Sequence, residues 1–332
     1  MENLKQWGMG PEWIGEKSDS RIIDIRISDA CNFDCRYCNE HNTIRKKYIT
    51  FEEYVLIIEK LKLLYSIENK KQKLLLWGGE PLLNKDLKRI MEYTSIQPFI
   101  HEFRIHSNFS IRNDEVLNFL LENNIECYSS IHLDYFLNPK VKENFLYNLD
   151  KISNKGNLTE INLMFQDLKE FEKCKEIKNE FKNYPINIAP VTQLLNSHNK
   201  QAKFLLSTTG EYLLKEINTS KGYQNYIDIF DIDHRGFQCH TTMNNFIINT
   251  NGDIFLCQSS FSSNFTHGNI YNYTDNDFKK FFKPLECIHK TCVCGHYVYK
   301  EREKFKEIES EYTYSIFTPD HKIRPKRILN DK

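Results

Sequence analysis

The chain has 332 residues, long for one typical domain and short for three, so a large domain with an appendage is expected. Lys+Arg and Asp+Glu both number 45, which excludes the basic excess of a nucleic-acid footprint or an anionic-membrane surface. No apolar run reaches the length of a membrane span and the N-terminus lacks a secretion signal, so a cytoplasmic protein with no membrane partner is expected.

Residues 1–20 read as an N-terminal arm. From residue 21 the chain alternates β-type runs with helical patterns, and the first domain is taken to 235. Strands are predicted at Arg21–Ser28, Lys73–Trp77, His101–Asn108, Glu126–Asp134, Glu160–Gln166 and Ile186–Gln193. Helices are predicted near 51–66, 84–95, 113–123, 140–151 and 168–183, the first with Thr50 as N-cap and Glu53 at capping-box spacing. Beyond about 200, Phe246–Asn249 and Asp253–Cys257 flank Asn251-Gly252, a hairpin-turn signal inside a small cysteine-rich module at 236–300. Residues 301–332 form a charged tail.

Strand–helix alternation indicates βα units around a parallel sheet, and six strands are too few for a full eight-unit barrel. The strands themselves alternate. Ile23, Ile25 and Ile27 oppose Asp24, Arg26 and Ser28, and Phe103 and Ile105 oppose Arg104, His106 and Asn108. Strands covered on both faces would instead be near-continuously apolar. The expected fold is therefore α/β, a partial (β/α)6 TIM-like barrel with helices outside and a polar lumen, followed by the small Cys-rich hairpin module. The inward charges suit a hydrophilic ligand or pair with one another.

Ten cysteines in a chain without an export signal point to metal. Cys31, Cys35 and Cys38 form Cys-x3-Cys-x2-Cys directly after the first strand. Three closely spaced thiolates can hold three irons of a [4Fe-4S] cube and leave the fourth open; zinc with a distant fourth ligand is the alternative. Trp77-Gly78-Gly79-Glu80-Pro81 then ends the second strand, with two glycines allowing close backbone approach and a carboxylate at the ligand-binding edge of an α/β sheet.

The cysteine loop, the Gly-Gly-Glu turn and the strand order, over about 21–194, resemble the radical S-adenosylmethionine (SAM) superfamily. The resemblance implies a catalytic [4Fe-4S] cluster on Cys31, Cys35 and Cys38 whose open iron chelates SAM, an electron donor such as flavodoxin or ferredoxin, and a 5′-deoxyadenosyl radical that takes hydrogen from substrate. It implies that Tyr37 contacts adenine and that Gly78, Gly79 and Glu80 receive the methionyl amino group. Ser107-Asn108-Phe109 stands where many relatives have Thr-Asn-Gly, and His132-Leu133-Asp134 where many have Ser-x-Asp. Asn108, His132 and Asp134 are thus implied ribose or carboxylate contacts, with His132 also open to a catalytic role as proton acceptor.

Cys239, followed by twelve residues, Gly252, four residues and Cys257, is similar to the opening of SPASM and twitch modules. With Cys287, Cys292 and Cys294 the chain offers five thiols, one more than a single auxiliary [4Fe-4S] cluster needs; Cys287 and Cys294 compete for the last place, and a zinc ribbon is the alternative. His240, His289 and His296 lie beside them as spare ligands. Cys127 and Cys174 read as buried small hydrophobes, with radical quenching by a lone thiol as the functional alternative. Relatives of this kind mostly modify peptides or protein side chains by oxidation, cross-linking or epimerisation. Others act on sugars, aminocyclitols or similar polar small molecules. Only thirty residues precede Cys31, so no separate N-terminal peptide-recognition domain is expected. A non-catalytic metal-binding redox scaffold would explain the cysteines but not the Gly-Gly-Glu turn.

Overall fold

A computed structural model describes residues 20–38, 47–191, 235–236, 238–239, 243, 245–283 and 285–289. It opens with β1 (Ser20–Ser28), α1 (Phe51–Glu68), β2 (Lys71–Gly78), α2 (Leu87–Ser95), β3 (Ile100–Ser107) and α3 (Asp114–Glu122). It continues with β4 (Glu126–His132), α4 (Leu133–Phe136), α5 (Pro139–Asn154), β5 (Leu158–Phe165), α6 (Leu168–Glu180) and β6 (Ile186–Pro190). These six strands are parallel and lie side by side in sequence order. Right-handed crossovers that never reverse direction put all connecting helices on one face, unlike a doubly wound sheet.

Burial follows from that topology. Ile23, Ile25 and Ile27 are fully buried with Tyr54, Ile57, Ile58 and Leu61 of α1, and one continuous apolar core takes one face of every strand. The opposite face carries the half-buried polar residues that the alternation predicts. The predicted capping box holds: Glu53 N donates to Thr50 Oγ1 at 3.2 Å, and Thr50 N to Glu53 Oε2 at 3.0 Å. Buried side-chain amides satisfy strand-end and loop carbonyls, Asn84 Nδ2 donating to Ile27 and Ile49 and Asn148 Nδ2 to Phe109 and Ile111.

The later elements are β7 (Gln238–Cys239), β8 (Asn245–Ile248), β9 (Ile254–Phe255), α7 (Gln258–Ser262), α8 (Asp275–Phe278) and β10 (Leu285–Glu286). The Asn-Gly hairpin forms β8 and β9, with Gly252 at φ +87°. It is not set apart from the main sheet: β8 pairs parallel with β1, extending the order to β6-β5-β4-β3-β2-β1-β8-β9. All four residues of β8 are buried, as suits a strand covered on both sides. The arm through residue 19, the segment 192–234 and the tail from 301 lie outside the described residues. Among those described, no helix is long and apolar enough to cross a membrane.

Arg21 breaks the apolar face of β1. It is fully buried, and its guanidinium grips Glu68 at the end of α1 bidentately, at 2.8 and 3.0 Å. Removing the cation strands a half-buried carboxylate. Arg21→Ala is therefore expected to cost about 3 kcal/mol of stability, measured as a fall in the urea midpoint with an unchanged slope.

Candidate active site

The cysteine loop leaves β1 at Ser28 and crosses the end of β2. Gly79 N donates to Ser28 O at 2.7 Å and Glu80 N to Ala30 O at 2.8 Å. A Cβ at Gly79 would stand 2.4 Å from Ala30 O, and one at Gly78, where φ is +146°, would stand 2.1 Å from Ser28 O. The two glycines are thus required to seat the loop, whatever a ligand also asks of them.

Glu80 turns inward. Its fully buried carboxylate accepts from Leu82 N at 2.9 Å, Ser107 Oγ at 2.6 Å and Asn108 N at 2.8 Å, tying the end of β2 to that of β3. Burial pushes its pKa up to about 7 against the pull of those donors. Ser107 entered the sequence reading only as part of Ser107-Asn108-Phe109 and was given no role, although a serine on the apolar face of β3 signals a buried partner. Asn108 reaches back to the loop, its Nδ2 3.1 Å from Asn32 Oδ1 and 4.0 Å from Cys31 Sγ. Phe109, where a glycine was the family pattern, takes the left-handed conformation a glycine would favour (φ +46°) and is anchored by complete burial.

The end of β4 fastens the loop from the other side. Phe33 stacks on Tyr135 with centroids 4.2 Å apart, and Asp34 N donates to the Tyr135 hydroxyl at 2.5 Å. Arg36 bonds both Asp134 oxygens, at 3.2 and 3.3 Å, and Glu170 at 3.1 Å. The Tyr37 hydroxyl lies 2.7 Å from His132 Nδ1. Tyr37 and Asp134, read as adenine and ribose or carboxylate contacts, are here engaged with the protein. Arg36 and Tyr135 were missed, since neither a loop arginine nor a tyrosine past a strand end carries a periodic signal.

The structure brings Cys31, Cys35 and Cys38 together on this loop. Cys38 N donates to Cys35 O at 2.8 Å, Cys31 is exposed and Cys35 buried. Burial, then the neighbouring thiols, push Cys35 up to about 12. Among the described residues no three His, Cys, Asp or Glu side chains converge as ligands of one metal ion. Three thiols spread along one short loop fit a cluster in which each takes its own iron. Burial pushes His106 and His132 down to about 4, so both are neutral near pH 7.

The later cysteines gather partly. Cys239 on β7 pairs with Leu285 on β10, and Cys287 follows two residues later. Cys257 caps α7, accepting from Ser260 N at 3.4 Å, and Ser260 Oγ lies 2.9 Å from His289 Nε2. Cys292, Cys294, His240 and His296 lie outside the described residues. Cys127 and Cys174 are fully buried.

A family model described as the Radical SAM superfamily matches residues 25–160. The 7-carboxy-7-deazaguanine synthase of Clostridium acetobutylicum is 30% identical over 181 residues, 53% of this chain and 76% of that protein. The GTP 3′,8-cyclase of Acidothermus cellulolyticus is 31% identical over 99 residues, covering only 26% of its own length. Among solved structures, Streptococcus suis SuiB bound to precursor peptide SuiA superposes with a TM-score of 0.57 at 14% identity, covering 85% of this chain and 68% of SuiB. His-tagged anSMEcpe with bound AdoMet superposes at 0.56 and 12% identity, covering 88% and 96%. At such identities the structural likeness speaks for the fold alone.

Glu80 gives a test of the loop's anchorage. An amide in its place turns one acceptor into a donor facing a donor. Glu80→Gln is expected to lose about 1–3 kcal/mol, read by chemical denaturation of the metal-free protein.

Proposed function

Because the chain belongs to the radical SAM superfamily and is one of its enzymes, we propose that it cleaves SAM reductively at a [4Fe-4S] cluster on Cys31, Cys35 and Cys38. It would then abstract hydrogen from an unactivated carbon of a peptide or protein side chain, ending in oxidation, cross-linking or epimerisation. The observation that carries this reading is the seated loop itself. Three thiols stand at the carboxyl ends of parallel strands, where ligands of α/β sheets bind, pinned by Gly79 just after β2 and by Tyr135 just after β4.

When bound, the cluster and SAM supply one-electron reduction of the sulfonium and hydrogen abstraction at carbon. The chain's part is placement. Glu80 commits its carboxylate to three donors, so the methionyl amino group would be served by the backbone of Gly78 and Gly79 just before it. Asn108, beside Cys31, is suited to a polar part of SAM. In the tautomer whose Nδ1–H donates to Tyr37 Oη, neutral His132 would offer Nε2 as a proton acceptor. We take the sheet to curve as a partial barrel whose polar face holds the substrate.

An auxiliary cluster on four of Cys239, Cys257, Cys287, Cys292 and Cys294 belongs to the same reading. Its support is that α7, capped by Cys257, places Phe261 against Trp77 and Arg26 on β2 and β1, with centroid distances of 5.7 and 5.1 Å. The later module therefore adjoins the polar face. A reducing donor of the flavodoxin or ferredoxin kind and a cytoplasmic setting complete the proposal. The deazaguanine synthase match favours a second reading, a polar small-molecule substrate.

Anaerobic reconstitution with iron and sulfide, followed by SAM and dithionite, is expected to yield 5′-deoxyadenosine. Cys31→Ala is expected to abolish it. Two clusters require about eight irons per chain, and about four would remove the auxiliary one. Substrate should stimulate 5′-deoxyadenosine formation. Stimulation by a peptide fraction that protease treatment destroys supports the peptide reading; stimulation surviving protease favours the small molecule.

A further inference from the structure

Alternation assigns Asp24, Arg26, Lys73, Glu102, Arg104, Glu126 and Glu160 to the polar face of the sheet. Nearly all of these charges are answered within the protein. Arg26 pairs with Asp29 at 3.1 Å and bonds Asn249 at 2.7 Å. Lys73 pairs with Glu102 at 3.1 Å, and Arg104 lies between Glu102 and Glu126, 3.0 Å from the latter, while donating to the Tyr128 hydroxyl at 2.8 Å. Burial raises the pKa of Glu160, and the neighbouring Asn187 and Asn162 side chains draw it back down.

Asp24 has no hydrogen bond or ion pair with the described residues and, unlike Glu160, no polar side chain among them acts on it. It is half-buried between Leu75 of β2 and Ile247 of β8 in the strand register. Burial pushes its pKa up to about 7, with no cation among the described residues acting against it. A carboxylate in such a place costs stability unless something answers it. Among the described residues every other charge on this face has a charged or amide side chain beside it, so a structural duty for Asp24 has no counterpart group there. One strand away and nearer the thiols, the Trp77 indole Nε1–H is likewise a buried donor without a partner. An open acceptor and an open donor thus share one face of neighbouring strands.

We propose that Asp24 is the subsite that binds a cationic group of the substrate, an ammonium or guanidinium. This rests on the reading of the polar face as the substrate cavity and deepens it by naming the substrate's charge. Asp24 lies four residues before the end of β1, about 13 Å along the strand. The cation therefore binds at depth, while the carbon that reacts stays near the cysteine loop. Peptides presenting lysine or arginine fit this description, as does a small amine.

The test uses reconstituted holoenzyme with SAM, titrated calorimetrically with Nα-acetyl-lysine methylamide and its uncharged counterpart, Nα-acetyl-norleucine methylamide. Wild-type enzyme is expected to prefer the lysine probe by about tenfold to a hundredfold, the worth of a charge-assisted hydrogen bond. Asp24→Asn, which keeps the shape and removes the charge, is expected to erase that preference. Equal binding of the two probes by wild type, no binding of either, or a preference that survives in Asp24→Asn overturns the proposal. The wild-type comparison decides even if the variant does not fold. The wild-type yield of 5′-deoxyadenosine tests the superfamily chemistry separately, so failure of the subsite is distinguishable from failure of the wider reading.

Discussion

A carbonyl oxygen 2.1 Å from where a side chain would begin leaves only glycine at residue 78, and Ala30 O imposes the same limit at residue 79. The rest of the site depends on this contact. With no side chain between them, the end of β2 and the loop after β1 bond backbone to backbone. That bonding sets where the three thiols stand. The neighbouring strands then supply fasteners to a loop already placed, Asn108 from the end of β3 and Tyr135 and His132 from the end of β4. A glycine is usually a cost in conformational entropy, and here the cost is offset by two hydrogen bonds no other residue would permit.

Two buried charges show how differently the fold handles desolvation. Arg21 is wholly withdrawn from water but meets Glu68 in a bidentate pair, and its position on the helix-facing side joins the start of β1 to the end of α1. Glu80 has no cation near it among the described residues. It receives three donors from backbone and hydroxyl groups instead, and they do not fully offset its burial, so its pKa remains raised. The first arrangement stabilises the sheet's layering, and the second holds two strand ends in register with the cysteine loop.

Most of the layering was legible because helices cover one face only. A one-sided sheet must alternate, so the isoleucines of β1 announce both the strand and its direction of burial. The capping box at Thr50 was local and therefore readable. What escaped was non-local. The pairing of β8 with β1 joins residues more than two hundred positions apart, and nothing in the hairpin's own pattern names its neighbour. Asp134 illustrates the same point at the site. Its position past β4 was legible, but its grip on Arg36, which pulls it toward the loop, arises only once both strands are in the sheet. Phe109 is a third case: the left-handed turn hides behind a bulky residue because burial of the ring outweighs the modest strain of its backbone.

The polar face also changes what zero net charge means for this chain. Equal totals of acids and bases describe a surface that repels neither kind of polymer, yet the face opposite the helices is not balanced. Its cations, Arg26, Lys73 and Arg104, are each engaged by carboxylates, and the acids outnumber them. Charges packed this closely hold each other's geometry and leave little field to steer a ligand. A single unanswered carboxylate in the same low-dielectric setting exerts more pull than several satisfied pairs. On the proposed reading, selectivity inside such a face would come from the group left over, so the order of pairing along β1, β2 and β3 would decide which ligand chemistry the sheet can accept.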